Sequence, residues 1–411
     1  MKKKFQSIIK NKDYKALLEN FLSLSAIQLI NLILPIVVLP YLVTVLGFQK
    51  YGTVIFATSL ITYFVSLTDY SFKISATRDV AVFRGNEKKI NLIYSKVLSI
   101  KFILLLFSWI VLGLLILTVP LFKDEQLVFS LTSLTLFGYV VFPDWYFQGI
   151  EKMKFIALLN LGIKLFFTAG VFLIIKEPED YWKYPLLNSL GFVFAGLAGQ
   201  YLLFKKFGVR YIGINKRILK NNFKSNFPIF INQFLPNLYN NTTTFVLGLL
   251  TNANLVGIYD ALKKVVDLAL MIINVISRVF FPFINRDKKF FKVYMKFMLV
   301  FGLFVSMLPV FFSSIIHEFL NIDFHDGLLV LIILSIGVFF YVLYDVFGLN
   351  FFIVSRMDKL VMKNTILSSL IGLLTVIPLV YFFDIIGAAL NLTLSRFFMG
   401  GILAYKYFKM R

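Results

Sequence analysis

One stretch of the chain, from Gly257 to Phe281, has the length of a membrane-spanning helix and yet contains several charged side chains. At helical spacing its polar groups form a single stripe, which consists of Asp260, Lys264, Asp267, Met271, Asn274 and Arg278. A charge near the centre of a bilayer costs about 2.5–3.5 kcal/mol on insertion scales, so this stripe must face away from lipid. Such groups could bind a charged or polar ligand within the membrane.

Two interpretations of this stripe are open. In the first, it lines a water-filled cavity and contacts a transported substrate. In the second, the charges only hold the helix together, because Asp260 and Lys264, and likewise Lys263 and Asp267, stand four residues apart in the favourable order. The first interpretation predicts a transporter, whereas the second predicts only a stable helix.

Amide side chains recur in other apolar stretches, above all in NFPIFINQFLPNLYNNTTTF around residue 236. Amide groups can donate to and accept from sugar hydroxyls without a fixed charge, although they also join helices to one another. The amides that we predict to lie along a substrate path are Gln28, Asn31, Gln233, Asn237, Asn240, Asn241 and Asn274.

Cations balance or outnumber acids in these membrane stretches, which favours an anionic substrate such as a diphosphate. The cations that we predict to lie along the same path are Lys101, Lys164, Lys263, Lys264, Arg278 and Arg396. Coupling of transport to H⁺ or Na⁺ would require a carboxylate. Asp69 and Asp267 are the candidates.

The composition shows what kind of protein must position these groups. Of the 411 residues, 59% are hydrophobic and 15% are charged, as is typical of a polytopic membrane protein. Ala16–Leu46 is interpreted as a retained first span, since no cleavage site follows a short apolar core. Apolar runs predict twelve helices, at about 21–45, 52–72, 95–119, 127–147, 155–175, 185–204, 227–250, 256–281, 293–316, 328–350, 364–383 and 386–405.

A weak internal repeat relates the two halves. Gln28 and Gln233 occupy similar positions in spans one and seven, and Gly52 and Gly257 open spans two and eight with the same separation. We therefore predict an all-α fold of two six-helix bundles related by a parallel pseudo-two-fold repeat, with a site between the bundles. The predicted parts are an N-terminal bundle at 1–204, a basic cytoplasmic linker at 205–226 and a C-terminal bundle at 227–411.

The net charge of +21 follows the predicted topology. Lys and Arg concentrate in the N-terminal segment, in the loops at 73–92, 148–154, 205–226, 278–296 and 351–363, and at the C-terminus, whereas the alternate loops hold only Lys50, Lys123, Lys176 and Lys183. By the positive-inside rule both termini are cytoplasmic. The basic charge thus serves topology and anionic lipid headgroups, and we expect no nucleic-acid partner.

Motifs of enzymatic chemistry are missing from the sequence. The chain has no cysteine, so disulfides, thiolate metal sites and cysteine nucleophiles are excluded. It also lacks a phosphate loop, a G-x-S-x-G elbow and an H-E-x-x-H motif. His317 and His325 are predicted to lie in an outer acidic loop that is solvated and does not bind metal. We expect neither an enzyme, nor a metal site, nor a cofactor.

Two segments resemble signatures of the bacterial polysaccharide-transport flippases, the translocases of O-antigen and capsule repeat units. The first is Leu39–Arg84, LPYLVTVLGFQKYGTVIFATSLITYFVSLTDYSFKISATRDVAVFR, and the second is Phe142–Leu161, FPDWYFQGIEKMKFIALLNL. The residues that match family positions are Asp69, Arg78, Arg84, Asp144, Trp145, Gln148, Gly149 and Glu151. Ser71 departs from the pattern, because the family usually has Gly after Asp-Tyr.

The resemblance implies a twelve-helix member of the multidrug/oligosaccharidyl-lipid/polysaccharide exporter superfamily. Such a protein would move undecaprenyl-diphosphate-linked oligosaccharides from the inner to the outer leaflet of the bacterial plasma membrane, by alternating access through a cationic cavity. It implies that Arg78, Arg84 and Glu151 stabilise cytoplasmic loops. The expected partners are the lipid-linked oligosaccharide, H⁺ or Na⁺, membrane lipids and glycan polymerase machinery.

Two alternatives remain. An ion-coupled multidrug exporter of the same superfamily would present an acidic cavity to its cationic substrates. A membrane glycan polymerase or ligase would need a large outer loop to position sugars for chemistry. A lipid II flippase of the superfamily is expected to have two more helices.

Overall fold

The computed structural model of the chain describes residues 12–322 and 324–410. Side chains are described at residue 34 and from residue 37 to residue 410, apart from those of 232, 235–240, 282 and 323–326. The side chains of Gln28, Asn31, Asn237, Asn240 and His325 lie outside this set. The predictions made for these five residues therefore stay predictions.

The fold is entirely helical within the described residues. The first half of the chain forms α1 (Lys12–Asp69), α2 (Phe72–Val82), α3 (Glu87–Thr118), α4 (Pro120–Lys123), α5 (Gln126–Val141), α6 (Asp144–Gly149), α7 (Met153–Ile174), a 3₁₀ turn (Pro178–Trp182) and α8 (Lys183–Phe207). The second half forms α9 (Lys216–Leu250), α10 (Ala253–Arg286), α11 (Phe290–Phe311), α12 (Ser313–Leu320), α13 (Phe324–Leu343), a π-helix (Tyr344–Ile353) and α14 (Asp358–Lys409). In the described part, nine helices are long and apolar enough to cross a membrane.

Two of the helices are too long for one crossing, since α1 has 58 residues and α14 has 52. Each contains a break in the helical backbone, α1 at Gly47 (φ 70°, ψ 163°) and α14 at Asp384 (φ 46°, ψ −124°). Gly47 adopts its positive φ without steric cost because it has no Cβ atom. The two breaks divide these helices into four segments. Most of the twelve predicted spans coincide with one helical segment of the described chain, whereas the spans at 127–147 and 293–316 each cover two helices.

The chain divides into two compact units. One comprises the residues up to Val38 together with Leu60–Phe234, and the other comprises Leu39–Ser59 and Leu235–Arg411. The predicted bundle boundaries at 1–204 and 227–411 follow chain order and stay a prediction. Grouping by contacts instead places Leu39–Ser59, which spans the break in α1, with the second unit.

In the first unit, α5 and α8 pack closely through small residues. A Cβ atom on Gly138 would lie 2.6 Å from the Cβ of Phe192, and the hydroxyls of Thr135 and Ser189 are 2.7 Å apart. Small residues of this type allow helix backbones to approach one another in a membrane. A separate buried aromatic cluster joins α2, α3 and α6, and its largest members are Tyr70, Phe72, Tyr94, Trp145, Tyr146 and Phe147.

In the second unit, the segment around Gly52 packs directly against the first turns of α10. A Cβ atom on Gly52 would overlap the carbonyl oxygen of Ala253, and one on Gly257 would overlap that of Phe48. The backbone nitrogen of Gly52 would lie only 3.2 Å from that Gly257 Cβ. The two glycines that the internal repeat singled out are therefore in mutual close contact.

The prediction for His317 was wrong. His317 lies on α12 and is 3% exposed, so it is not part of a solvated loop. Its Nδ1 donates to the carbonyl oxygen of Ser313 at 2.6 Å. Over the residues with described side chains, no group of three or more His, Cys, Asp or Glu could hold a metal ion.

Candidate functional site

Helix α10 positions the charged stripe predicted from the sequence. The helix begins after Asn252, whose side chain accepts from the backbone nitrogen of Leu255 at 3.0 Å. One apolar face of the helix is buried, as at Val256, Leu262 and Ile273, whereas Ile272, Val275 and Val279 are exposed. Because this face packs inside the second unit, the polar stripe lies beside it and is largely half-buried.

The first part of the stripe forms a closed triangle with a tyrosine from α1. The Tyr51 hydroxyl donates to Oδ2 of Asp260 at 2.5 Å, and Nζ of Lys264 lies 2.8 Å from the same oxygen. Lys264 also donates to the Tyr51 oxygen at 2.6 Å. The predicted Asp260–Lys264 pair is thus present, and Tyr51 completes it.

In the second part of the stripe, the carboxylate of Asp267 contacts two cations. Nζ of Lys263 lies 2.5 Å from Oδ2 of Asp267, and Nη2 of Arg396 lies 3.6 Å from Oδ1. Arg396 reaches this position from α14, which packs against Gly337 of α13, where an added Cβ atom would lie 2.8 Å from the Thr393 hydroxyl oxygen. The predicted Lys263–Asp267 pair is therefore present, with Arg396 added to it from a distant helix.

Two buried donors in this second group have no hydrogen-bond partner among the described residues. They are Nη1 of Arg396 and the hydroxyl of Tyr259. Tyr259 is fully buried and Arg396 is 7% exposed, and the guanidinium acts electrostatically on the tyrosine hydroxyl. A buried donor without a partner is costly, so the pair is poised to bind an acceptor oxygen.

The cluster as a whole has a positive balance. It holds the cations Lys263, Lys264 and Arg396 against the carboxylates Asp260 and Asp267. The Lys264 and Asp267 side chains are 33% and 29% exposed, so water or a ligand can reach them. An arginine fork with adjacent lysines and a hydroxyl donor suits phosphate oxygens.

Comparison with known proteins places the chain in a family. Residues 17–288 match the family described as "Polysaccharide biosynthesis protein", which is more than half of the chain. The chain belongs to this family.

Two curated relatives of this family member are each named "Putative O-antigen transporter". The relative from Escherichia coli (strain K12) is 24% identical over 391 residues, covering 93% of this chain and 94% of the relative. The relative from Shigella dysenteriae is 24% identical over 305 residues, covering 72% of this chain and 76% of the relative.

Solved transporter structures share the fold of this family member. The lipid II flippase MurJ, in an inward closed conformation, has a TM-score of 0.67 at 16% identity, with 94% of this chain and 87% of MurJ covered. A multidrug resistance MATE family transporter of the MOP superfamily, in an inward-facing conformation, has a TM-score of 0.65 at 12% identity, with 92% and 94% covered. The predicted all-α, two-bundle fold of a multi-pass membrane protein is confirmed.

The residues that carry the family resemblance join α2 to α6 and the loop that follows it. Nη1 of Arg84 lies 2.9 Å from Oε2 of Glu151, and the Thr77 hydroxyl donates to the carbonyl oxygen of Trp145 at 3.1 Å. A Cβ atom on Gly149 would lie 2.6 Å from Val80. These contacts join α2 and the segment that follows it to α6 and the loop after α6.

The structure brings some of the predicted path residues together and leaves others apart. Lys263, Lys264, Asp267 and Arg396 share the cluster on α10. In the first unit, Lys101 is 2% exposed and its Nζ lies 3.2 Å from Oδ1 of Asp69, so a predicted path cation and a predicted coupling carboxylate pair with each other.

The remaining predicted path residues are not part of either of these pairings. Asn274 accepts from the Tyr341 hydroxyl at 2.8 Å. Gln233 and Arg278 are exposed, and Lys164 and Asn241 are half-buried. Lys164 and Asn241 each have a partner in the structure.

The sequence analysis missed several participants, among them Tyr51, Tyr259 and Tyr341. A search of the apolar stretches for charged side chains does not select tyrosine, although the tyrosine hydroxyl can form hydrogen bonds with those charges. Asp345 was not among the predicted site residues either, and it is fully buried. No helical periodicity in the sequence points to its partner Asn350, because a spacing of five residues falls on one side only in a π-helix.

Proposed function

We propose that this chain moves undecaprenyl-diphosphate-linked oligosaccharides from the inner to the outer leaflet of the bacterial plasma membrane by alternating access. The observation that carries the proposal is the α10 cluster, in which Nη1 of the buried Arg396 guanidinium and the buried hydroxyl of Tyr259 have no hydrogen-bond partner among the described residues. Membership of the polysaccharide biosynthesis protein family, the names of the two curated relatives and the fold shared with MurJ support it.

The chemistry of the cluster suits the diphosphate part of such a substrate. Arg396 and Tyr259 supply donors for one phosphate oxygen, and Lys263 lies on the same carboxylate as Arg396. Charge-assisted hydrogen bonds to phosphate are about twice as strong as neutral ones. The sugars of the substrate carry no charge that this cluster must match, so the cluster recognises the common linkage and not a particular glycan.

Asp260 and Asp267 have a defined role in this proposal. Without substrate, each neutralises cations that would otherwise be unpaired in the membrane. A bound diphosphate competes with Asp267 for Lys263 and Arg396. Binding and release then exchange one set of ion pairs for another, which keeps the substrate from being held too tightly to leave.

A multidrug exporter has the same fold, since the MATE structure shares it. The positive balance of the α10 cluster disfavours an organic cation as substrate, because like charges repel at this distance. A glycan polymerase or ligase finds no support in the names of the curated relatives, which are transporters.

The direct test is a translocation assay with the purified full chain in liposomes. A fluorescent undecaprenyl-diphosphate oligosaccharide is placed in the inner leaflet, and an impermeant reagent outside reports its arrival. We expect the chain to accelerate arrival many-fold over protein-free liposomes, with no acceleration of a neutral glycolipid. A rate equal to that of empty liposomes would overturn the proposal, and export of an organic cation in the same vesicles would favour the multidrug function.

Three finer features belong to the same proposal. Both termini lie in the cytoplasm, on the side of the basic loops. H⁺ or Na⁺ supplies the driving force, and glycan polymerase machinery receives the substrate on the outer side. Cysteines introduced singly at position 4 and position 50, in this naturally cysteine-free chain, test the topology with an impermeant thiol reagent. Labelling of position 50 alone in intact cells is the expected result.

A further inference from the structure

The π-helix of the second unit carries a buried carboxylate without a cation. Asp345 and Asn350 are both fully buried. Across the described residues, no Lys or Arg forms an ion pair with Asp345, and the groups that act on its carboxyl are Ser277 and Tyr294. An ionised carboxylate in such surroundings is unstable, so the group must take up a proton or another cation.

The polar groups around Asp345 form a cage of oxygen atoms. Nδ2 of Asn350 lies 2.9 Å from Oγ of Ser277, 3.1 Å from Oη of Tyr294, 3.0 Å from the carbonyl oxygen of Asp345 and 3.3 Å from its Oδ2. The amide nitrogen of Asn350 supplies two donor hydrogens, and the hydroxyls of Ser277 and Tyr294 supply one each. These four hydrogens face six acceptor oxygens, which are the three of Asp345, Oδ1 of Asn350 and the two hydroxyl oxygens, so the cage contains more acceptors than its own donors satisfy.

Two further oxygens of the same residues make no hydrogen bond within the described part of the chain. They are Oδ1 of Asp345 and Oδ1 of Asn350. The Tyr294 hydroxyl donates to Oδ2 of Asp345, so only one of the two carboxyl oxygens is satisfied. A buried acceptor left bare in this way is costly. A proton on Asp345, or a small cation coordinated by these oxygens, would remove that cost.

Among the described residues, no Lys or Arg lies within ion-pair distance of Asp345, and the ion pair of Arg396 on α14 is made with Asp267. The titratable and polar groups around the carboxyl are Ser277 from α10, Tyr294 from α11, Tyr341 from α13 and Tyr344 from the π-helix, all neutral near pH 7. Asp345 therefore differs from Asp69 and Asp267, which already have lysine or arginine partners.

We propose that Asp345, Asn350, Ser277 and Tyr294 form a monovalent-cation site that binds H⁺ or Na⁺ and couples it to transport. This inference rests on the proposed function for its coupling, but not for cation binding itself. With the cation bound, the carboxyl group is neutral and stable in the buried arrangement. Once the cation leaves, the bare carboxylate favours a conformation in which water reaches it, and this difference between conformations is what couples the ion to the cycle.

Cation binding is tested first on the full chain in detergent. Wild type and Asp345→Asn are compared for proton uptake after an acid jump in unbuffered solution, and for the increase of thermal stability on addition of Na⁺ at constant pH. We expect the variant to lose one of these two responses, which identifies the ion. The exposed carboxylate Asp358 supplies the matched control, and Asp358→Asn should respond as wild type does. Equal responses of wild type and Asp345→Asn would overturn the inference.

Coupling is then tested in liposomes under an imposed pH gradient without Na⁺, or under a Na⁺ gradient at clamped pH. We expect one gradient to accelerate translocation by wild type, and no gradient to accelerate Asp345→Asn. If the wild type translocates nothing under any gradient, the proposed function fails while the detergent result stands alone. If both proteins respond equally, only the inference fails.

A milder change keeps the site testable if Asp345→Asn does not fold. Ser277→Ala removes one cage oxygen and leaves the carboxyl group in place. Loss of one such contact should weaken cation binding about fivefold, measured as a shift in the Na⁺ or H⁺ concentration that gives half of the response. An unchanged midpoint in a folded Ser277→Ala protein would overturn the cage.

Discussion

Arg396 and Asp267, which lie on different helices of the second unit, meet through only one nitrogen of the guanidinium. Nη2 of Arg396 lies 3.6 Å from Oδ1 of Asp267, whereas Nη1 has no hydrogen-bond partner among the described residues. An arginine that served only to neutralise Asp267 would more favourably form a bidentate fork. The guanidinium nitrogen that makes no hydrogen bond is therefore the feature of the cluster that most clearly indicates an anionic ligand.

Arg396→Ala should reduce translocation at least about tenfold, since a hydrogen bond to a charged group contributes about 1.5–3 kcal/mol. Arg396→Lys keeps the charge without the planar fork and should fall between this variant and wild type. The rates are measured in liposomes at equal protein density. Lys359→Ala, which removes an exposed cation at the start of α14, is the control. A wild-type rate for Arg396→Ala would remove Arg396 from the substrate path.

Tyr259→Phe separates a functional from a structural role of the same site. Since the buried hydroxyl has no hydrogen-bond partner among the described residues, its removal should not lower the free energy of unfolding and should raise it by up to about 1–3 kcal/mol. The translocation rate should nevertheless fall several-fold, because one donor to the phosphate is lost. Thermal unfolding in detergent and the liposome assay are measured on the same preparation. A large loss of stability with an unchanged rate would show that the hydroxyl serves the fold.

The Lys101–Asp69 pair, in which Lys101 is buried and Asp69 is 34% exposed, allows a test of whether the pair serves transport. Lys101→Met leaves Asp69 without its partner, and because water can reach Asp69 the protein should be destabilised by only about 1 kcal/mol. The double variant Lys101→Met/Asp69→Asn should recover most of the thermal stability. Its translocation rate then decides the role of the pair: a stable but inactive double variant assigns the pair to transport, and a wild-type rate assigns it to the fold.

Gly52→Ala should destabilise the second unit, because the added Cβ atom would overlap the carbonyl oxygen of Ala253. Overpacking of this type costs about 1–3 kcal/mol, and the midpoint of thermal unfolding should fall accordingly. Gly113→Ala is the matched control, since a Cβ atom there has open space in the middle of α3. Equal midpoints for the two variants would show that the close approach of Gly52 and Ala253 is not needed for stability.

Hydropathy and charge in the sequence predicted the membrane class, the twelve spans and the two i,i+4 ion pairs on α10. These features depend on neighbouring residues, because a helix that crosses a bilayer must be apolar along its own length. The signatures at Leu39–Arg84 and Phe142–Leu161 likewise indicated the family to which the chain belongs. The repeat of Gly52 and Gly257 identified two positions that the structure brings into contact.

Only the tertiary structure decided which groups pair across helices. Arg396 forms an ion pair with Asp267, and Lys101 forms one with Asp69. Tyr51 forms hydrogen bonds with Asp260 and Lys264. In each case the partners lie far apart in the sequence. The buried position of Asp345 also required the structure, since the π-helix aligns it with Asn350 at a spacing that helical periodicity does not predict. The physical reason is that burial and ion pairing depend on the packing of distant helices, whereas hydropathy reports only on the helix that contains a residue.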